Sequence, residues 1–186
     1  MTVCRPGEPG RPALESLVRR AFADQHGAAI HSFMPNLLGL HGPRGQLHGV
    51  AGFRNAAVEP LFLENYLDAP IETVLSARIG TRVDRSEIVE VGNLAGSSCR
   101  AACRLVAELP RFFVAHGQRW VVFTATDVVR DMLAKFGAPL IQLGIAELRR
   151  VAASGDEWGR YYNRDPRVMA GYLPDGLAMR LGRQAR

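Results

Sequence analysis

Two carboxylates lie three residues apart in an apolar stretch that is typical of a buried strand. Glu87 and Glu90 belong to the segment EIVEVGNLA, and residues three apart on a strand point to opposite faces of a sheet. Burial raises the pKa of a carboxyl group, which makes it a stronger base toward a substrate proton. Glu90 lies deeper in the apolar run and is the candidate general base. The alternative is a structural carboxylate paired with an arginine, since a buried Glu is rarely left unpaired.

The ends of two apolar segments carry polar residues that are candidates to contact a ligand. Asn93 follows Gly92 at the end of the first segment, and Thr124 ends the second, WVVFT. Ligands bind near the carboxyl ends of strands in open α/β sheets, so both side chains are expected to line a cleft. For Asn93 the alternative is a hydrogen bond to nearby backbone. We expect Thr126 or Asp127 to be the N-cap of the helix that follows.

A run of small residues joins the first apolar segment to the next helix. The N-terminus of a helix offers free backbone N–H groups and the positive end of the helix dipole, and together these bind phosphate. We therefore expect the loop backbone to bind a phosphate-bearing donor, and Arg100 to pair with a second phosphate. The candidate donor-binding residues are Leu94, Ala95, Gly96, Ser97, Ser98, Arg100 and Thr124.

The C-terminal part of the chain is basic and contains aromatic residues. Residues 149–186 hold eight arginines against four acidic residues, a net charge of +4 within a total of +5. Such a pattern suits phosphate contact and stacking on bases, and the alternative is a solvated, arginine-rich surface. The candidate nucleic-acid contacts are Arg160, Arg164 and Arg167, interleaved with Trp158, Tyr161 and Tyr162.

The histidines and cysteines show no spacing that would bind a metal ion. Cys99 and Cys103 lie four residues apart, but no second pair completes a tetrahedral zinc site. No Ser/His/Asp arrangement supports hydrolase chemistry. No apolar run approaches the roughly 20 residues that span a bilayer, and residues 1–11 lack the apolar stretch of a signal peptide. We therefore expect a cytoplasmic protein with no metal ion and no membrane contact.

Length and periodicity predict one domain that begins with a helix and a hairpin. The 186 residues suit a disordered N-terminus over 1–12, a single domain over 13–175 and a basic tail over 176–186. Apolar residues recur at helical spacing from Leu14 to Phe22, and Gly27 ends this helix. The next elements are a hairpin of segments 32–40 and 46–54, then one helix or two over 60–79, broken near Pro70.

The second half of the chain alternates between strands and helices. The predicted elements are strand 86–95, helix 99–116 kinked at Pro110, strand 120–124, helix 128–136 and a last short strand 140–143. This β-α-β-α-β order implies crossover connections, with helices covering a mixed sheet. Residues 155–173 show no clear periodicity.

The element order and four segments resemble one known family. The order matches the GNAT acyltransferase fold, and the chain resembles the thermostable hemolysin family, which is itself similar to GNAT proteins. The segments are PLFLENYLDAPIE at 60–72, EIVEVGNLA at 87–95, RWVVFTAT at 119–126 and WGRYYNRDPRVMAGYL at 158–173. The resemblance implies an α/β (α+β) domain whose mixed, largely antiparallel sheet is flanked by helices and has splayed central strands.

The resemblance also implies a chemistry. A GNAT-type acyltransferase moves an activated acyl group to the amine of a small-molecule acceptor and forms an amide. Glu90 would then accept the ammonium proton and Asn93 would orient a carbonyl. Tyr161 and Tyr162 stand where some GNAT enzymes place the acid that protonates the leaving group; Tyr161 is the candidate, and packing against the domain is the alternative for at least one of the two. GNAT proteins that use acetyl-CoA usually carry a Gln/Arg-x-x-Gly-x-Gly/Ala loop, and here Arg100 replaces the middle Gly.

The sequence therefore leaves two alternatives for the acyl donor and two for the kind of protein. The donor is acyl-CoA or, as in some GNAT-like transferases of natural-product biosynthesis, an aminoacyl-tRNA. A tRNA end would supply phosphates for the arginines and bases for the rings at 158–167. The rival is a non-catalytic binding or hemolysin-like protein on the same fold. An open cleft beside Glu90 favours an enzyme, and a closed, packed sheet favours the rival.

Overall fold

A mixed sheet of seven strands organises the protein, whose computed structural model describes residues 1–152 and 156–176. The strands are β1 Thr2–Cys4, β2 Asn36–His41, β3 Leu47–Asn55, β4 Ile88–Gly96, β5 Trp120–Ala125, β6 Leu140–Ile145 and β7 Arg167–Tyr172. They lie in the order β1-β2-β3-β4-β5-β7-β6. All neighbours are antiparallel except β4 and β5, which are parallel.

Four α-helices lie wholly within the described residues. They are α1 Arg11–His26, α2 Ile71–Ile79, α3 Cys99–Ala115 and α4 Asp127–Lys135. As predicted, α1 ends at Gly27 in the left-handed region (φ 63°), and α4 follows the N-cap Thr126. The segment 60–79 divides at Pro70 into a 3-10 turn and α2, since proline disfavours helix at the residue before it. These helices and the mixed sheet confirm the predicted fold class.

The N-terminal residues expected to be disordered contain ordered structure. β1 extends the sheet by pairing with β2, and Pro12 lies in the first turn of α1. The buried guanidinium of Arg11 donates hydrogen bonds to the carbonyl oxygens of Cys4 (3.2 Å) and Pro35 (2.8 Å). The prediction of disorder for residues 1–12 is wrong because these contacts join segments that are distant in the sequence, which composition does not reveal.

The sheet also contains a strand that the sequence analysis did not predict. β7 lies between β5 and β6, so the segment 140–143 is not the last strand. Val168, Met169 and Ala170 of β7 are buried, but methionine and alanine carry little strand preference. Glu87, which was placed on a strand, lies in the 3-10 turn before β4.

Three further findings concern only part of the chain. The expected basic tail, 176–186, lies outside the described residues apart from Gly176. Over the residues that are described, no helix has the length and apolar character needed to cross a membrane. The same residues contain no cluster of three His, Cys, Asp or Glu side chains suited to a metal ion.

The two central strands separate after four residue pairs. β4 and β5 pair in parallel from Ile88 with Trp120 to Val91 with Phe123. Beyond these pairs, β4 stays with β3 while β5 continues along β7. A bulge turns β4 at this point, with Asn93 in the left-handed region (φ 46°). The predicted splay of the central strands is therefore present, and the gap lies between their carboxyl ends.

Alternation of side chains along the strands gives the sheet two different faces. Ile88 packs with residues of α2, and Val50 packs with residues of α1, on what we call the α1 face. Val89 packs with residues of α3 on the opposite side, which we call the α3 face. Cys103 Sγ of α3 lies 3.6 Å from Met132 Sδ of α4, so α4 flanks α3.

Glu64 joins the segments around α2. Its carboxylate accepts the N–H groups of Leu61 (2.8 Å) and Ile71 (2.9 Å), and both oxygens accept from the Arg85 guanidinium (2.6 and 2.9 Å). Burial alone would raise the pKa of Glu64, but the hydrogen bonds from Arg85 and from the backbone outweigh it and hold the pKa at about 2. The ionised carboxylate therefore stabilises the folded state.

We expect Glu64→Gln to lower the free energy of unfolding by about 1–3 kcal/mol near neutral pH, because Arg85 loses its charged acceptor. The pKa of Glu64 is about 2 in the folded protein against an ordinary 4.5. This stabilisation is therefore complete above the ordinary value and is lost as the pH falls toward the folded value. Urea unfolding over this pH range should show the difference between wild type and variant shrinking in acid.

Glu72→Gln is the matched control, since Glu72 makes only one contact with the same guanidinium (2.6 Å). It should have a smaller effect than Glu64→Gln. A Glu64→Gln effect that is equal at every pH would contradict the assignment.

Candidate active site

A cavity of about 700 Å³ lies where β4 and β5 separate, and residues from both faces of the sheet line it. On the α1 face it forms what we call the polar compartment, lined by Phe22, His26, Met34, Arg54, Phe62, Tyr66, Glu90, Asp156, Trp158, Tyr161 and Arg164. On the α3 face it forms the apolar compartment, lined by Leu94, Val106, Leu109, Val121, Phe123, Met132, Leu133, Leu140, Gly171 and Leu173. The cavity thus passes through the gap between the strands.

Glu90 lies in the polar compartment, with a side chain that is 3% exposed. Its two carboxylate oxygens accept the N–H groups of Phe62 (2.8 Å) and Leu63 (2.9 Å). Burial raises the pKa of Glu90 to about 7, although the Arg54 guanidinium and the two N–H groups act to lower it. These contacts suit both interpretations of the sequence, a base in an open cavity and a structural carboxylate near an arginine.

Arg54 is the partner of Glu90 that the sequence analysis missed. The two residues lie opposite each other in the β3–β4 register, with Nε of Arg54 3.5 Å from Oε2 of Glu90. Nε also donates to Sδ of Met34 (3.2 Å), and Nη1 donates to the carbonyl of Pro60 (3.0 Å). The available signal was a charged residue in the apolar segment GVAGFRN, because charges inside buried strands need partners.

Asn93 fixes the backbone of Met34, which lines the polar compartment. Its Oδ1 accepts the N–H of Met34 (2.8 Å), which fixes the segment before β2 against the bulge of β4. This oxygen therefore makes the hydrogen bond to backbone that was the alternative to contact with a substrate carbonyl.

The loop before α3 faces the cavity through part of its length. Gly96 and Ser98 line the cavity, and Ser98 is the N-cap of α3, with its Oγ accepting the N–H of Ala101 (3.2 Å). The N–H of Ser97 donates to the carbonyl of His48 (2.8 Å). The expectation that this N–H binds phosphate is therefore wrong, since a β3 carbonyl already engages it.

Two other predicted donor-binding residues lie away from the cavity. Ala95 is buried and packs with residues of α1. Arg100 is exposed on the first turn of α3. Of the predicted loop, Leu94, Gly96 and Ser98 remain as lining residues.

Thr124 and Tyr161 meet at the end of β5, and both line the cavity. The Tyr161 hydroxyl lies 3.5 Å from the carbonyl oxygen of Thr124. Its ring lies 6.3 Å from that of Phe22 and 5.2 Å from that of His26. Burial raises the pKa of Tyr161, so its hydroxyl keeps its proton at neutral pH.

The rings at 158–162 pack against one another. Trp158, Tyr161 and Tyr162 are half-buried, with centroids 5.3–5.8 Å apart. The Tyr162 hydroxyl also forms a hydrogen bond with that of Tyr66 (2.5 Å). The interleaved rings, which were one of the observations behind a tRNA donor, thus contact one another in the folded protein.

The three arginines of the predicted nucleic-acid contact differ in their surroundings. Arg164 lines the cavity and lies 3.6 Å from Asp127. Arg167 pairs with Asp165 (2.6 Å), and Arg160 is exposed. Asp127 lies outside residues 149–186, so its pairing with Arg164 offsets part of the net charge of +4 counted for that segment, whereas Asp165 was already included in the count.

The structure brings together residues that the sequence analysis had considered separately. The predicted site residues that line the cavity are Glu90, Asn93, Leu94, Gly96, Ser98, Thr124, Tyr161 and Arg164. The lining residues that it missed include Met34, Arg54, Phe62 and Tyr66. These come from segments far from β4 and β5 in the sequence.

Three solved structures share the fold at low sequence identity. FeeM, an N-acyl amino acid synthase from uncultured soil microbes, has a TM-score of 0.64 at 18% identity, covering 100% of this chain and 97% of FeeM. TofI in an apo form has a TM-score of 0.63 at 13% identity, covering 96% and 94%. BjaI, a CoA-dependent acyl-homoserine lactone synthase solved with SAM and isopentyl-CoA, has a TM-score of 0.54 at 14% identity, covering 93% and 74%.

At these identities the likeness concerns the fold, and it agrees with the GNAT-like architecture expected from the element order. A sequence comparison with curated proteins found no match. The sequence profile of thermostable hemolysins matches residues 4–177, which is nearly the whole chain. The protein therefore belongs to the thermostable hemolysin family.

Proposed function

We propose that this protein is an acyltransferase that moves an acyl group from a thioester donor to the amine of a small molecule and forms an amide. The observation that carries the proposal is the cavity through the gap between β4 and β5, which joins an apolar and a polar compartment. Acyl transfer needs two reactants held together in a fixed geometry, and a passage through the sheet lets them approach from opposite sides. The open cleft beside Glu90 also favours an enzyme over a non-catalytic binding protein.

The apolar compartment suits a long acyl chain. The cavity runs beside α3 from Ser98 to Pro110, and twelve residues of helix span about 18 Å at a rise of about 1.5 Å per residue. Each buried methylene contributes about 0.8 kcal/mol. A chain longer than acetyl would therefore bind better here, and we assign the donor to the long-chain acyl thioesters.

The residues around the gap supply the proton transfers. The amine attacks the thioester carbonyl carbon, a C–N bond forms, the C–S bond breaks, and the amine loses a proton. Glu90 accepts that proton, directly or through water. Tyr161 gives its proton to the leaving thiolate and is reprotonated from solvent. Asn93 has a positioning role, since its oxygen holds Met34.

The donor's phosphates would lie at the start of α3. With the Ser97 N–H engaged by His48, the N–H groups of Ser98 and Cys99 remain near the cavity rim for this contact. Arg100 does not line the cavity, but it follows Cys99 in the first turn of α3, where its exposed guanidinium would pair with a second phosphate.

Proteins of the same fold support the choice of donor and acceptor class. BjaI is described as CoA-dependent and was solved with isopentyl-CoA. FeeM is described as an N-acyl amino acid synthase. We therefore take acyl-CoA as the first donor to test and an amino compound as the acceptor.

Purified protein should form amides from acyl-CoA and a mixture of amino acids, with long acyl chains giving more product than acetyl. Mass spectrometry of the products measures this, in parallel reactions with and without ribonuclease. Product that survives ribonuclease supports acyl-CoA. Product that appears only with aminoacyl-tRNA, and disappears with ribonuclease, would contradict the proposed donor.

Glu90→Gln should lower turnover by about 10²–10⁴-fold, because the amine then lacks its base. The wild-type rate should rise with pH through about 7, the pKa of Glu90, since only the ionised carboxylate accepts a proton. The variant should lose that rise. A pH series of initial rates measures both effects.

Glu87→Gln is the matched control, because Glu87 lies outside the cavity in the turn before β4. It should keep the wild-type pH profile. Thermal unfolding must accompany the Glu90→Gln rates, since glutamine leaves one N–H of the 62–63 pair without an acceptor. A folded Glu90→Gln variant with wild-type turnover would make Glu90 structural only.

Gly171→Val should reduce turnover of long-chain donors about 10–200-fold while sparing acetyl-CoA, because added methyl groups would fill the apolar compartment. A Cβ at this position would lie 3.2 Å from Cδ2 of Leu140 and 3.5 Å from Cγ1 of Val121. Rates with a series of acyl-CoA chain lengths measure the shift, and acetyl-CoA serves as the internal control. An unchanged chain-length preference in a folded variant would mean that the acyl chain lies elsewhere.

A further inference from the structure

We infer that Met34 determines the size of the amine that the polar compartment accepts, an inference that rests on the proposed function. Met34 is 8% exposed and lines the cavity on the α1 face. Its side chain lies across Gly52 of β3 and Gly92 of β4, which are opposite each other in the register.

The two glycines leave a vacant area on the α1 face that Met34 fills. On this face the β3–β4 pair next to Gly52 and Gly92 is Arg54 with Glu90. A Cβ added to Gly52 would lie 2.7 Å from Cβ of Met34, and one added to Gly92 would lie 2.6 Å from its Cε. Met34 therefore occupies the space of two missing side chains, directly beside the candidate base.

The backbone of Met34 is fixed while its side chain is adaptable. Its N–H donates to Oδ1 of Asn93 (2.8 Å), and its carbonyl accepts from Nη2 of Arg11 (2.8 Å). The thioether accepts from Nε of Arg54 (3.2 Å), and thioether sulfur is a weak acceptor. Methionine is unbranched and fills irregular spaces. A change at this side chain can therefore alter the compartment without moving the strands.

The position of Met34 relates it to the acceptor. The amine must present its nitrogen to Glu90, so the group attached to that nitrogen extends along the wall beside Glu90. Met34 forms that wall next to Arg54, and the rings of Phe22 and Phe62 line the same compartment. The acceptor class is accordingly a primary amine with an apolar side group, whose upper size Met34 limits.

The test measures kcat/KM for one acyl-CoA with glycine, alanine, leucine, phenylalanine, tryptophan and the corresponding simple alkylamines. Met34→Ala should raise the ratio of the largest to the smallest acceptors about tenfold or more, the effect of changed apolar volume in a pocket. Gly92→Ala should lower that ratio, because its Cβ pushes the flexible end of Met34 into the compartment. The double variant should return toward wild type, since the new Cβ then occupies the vacated space.

Met132→Ala is the matched control, because Met132 lines the apolar compartment on α4. It should change the preference for acyl chain length and leave the ranking of acceptors as in wild type. If Met34→Ala does not fold, a shift toward small acceptors in Gly92→Ala still supports the inference, and an unchanged ranking in that variant overturns it.

Different outcomes would overturn the role of Met34 and the proposed function. Amide formation by wild type, with an acceptor ranking that neither Met34→Ala nor Gly92→Ala changes, would overturn the inference and leave the proposed function standing. Wild-type protein that forms no amide from any donor and amine would overturn the proposed function and this inference together.

Discussion

Backbone groups freed where β4 and β5 part must find other partners, because buried N–H and C=O groups cannot be left unpaired at low cost. β4 continues to Gly96 against β3, and β5 continues to Ala125 against β7. Antiparallel strands on both sides of the parallel pair are therefore what makes the separation possible. The cavity and its two compartments follow from this separation, and Glu90 lines the cavity beside it.

A buried carboxylate, Glu90, lies beside this gap. Glu64 and Glu90 each accept two backbone N–H groups and lie near an arginine, yet their pKa values are about 2 and about 7. Glu64 accepts short hydrogen bonds from Arg85 (2.6 and 2.9 Å). Glu90 is more deeply buried, and its arginine stands at 3.5 Å. Desolvation therefore prevails only at Glu90, where a proton acceptor near neutral pH is chemically useful.

The sheet separates two sets of lining residues. Residues of α3, β5 and α4, which follow one another in the sequence, form most of the apolar compartment. The polar compartment instead collects α1, the segment before β2, β3, the 3-10 turn Phe62–Tyr66 and the rings at 158–162. Since the two sets share only the strands at the gap, the lining of one compartment can be altered without changing that of the other.

Local sequence patterns predicted much of the architecture and identified one residue of the candidate site, Glu90. The helical period of α1, the break at Pro70 and the alternation from β4 to α4 were readable because each depends on neighbouring residues. Glu90 was identifiable because a charge within an apolar run requires a special environment. The four family segments pointed to the same fold.

Tertiary structure alone decided the remaining features. β1 and β7 depend on pairing with distant strands, and the small residues of β7 carry little strand signal. Three contacts at the site depend on strand register. They are the pairing of Arg54 with Glu90, the hydrogen bond from the Ser97 N–H to the carbonyl of His48, and the packing of Met34 on Gly52 and Gly92. Register is set by contacts between residues far apart in the chain, which no local pattern encodes.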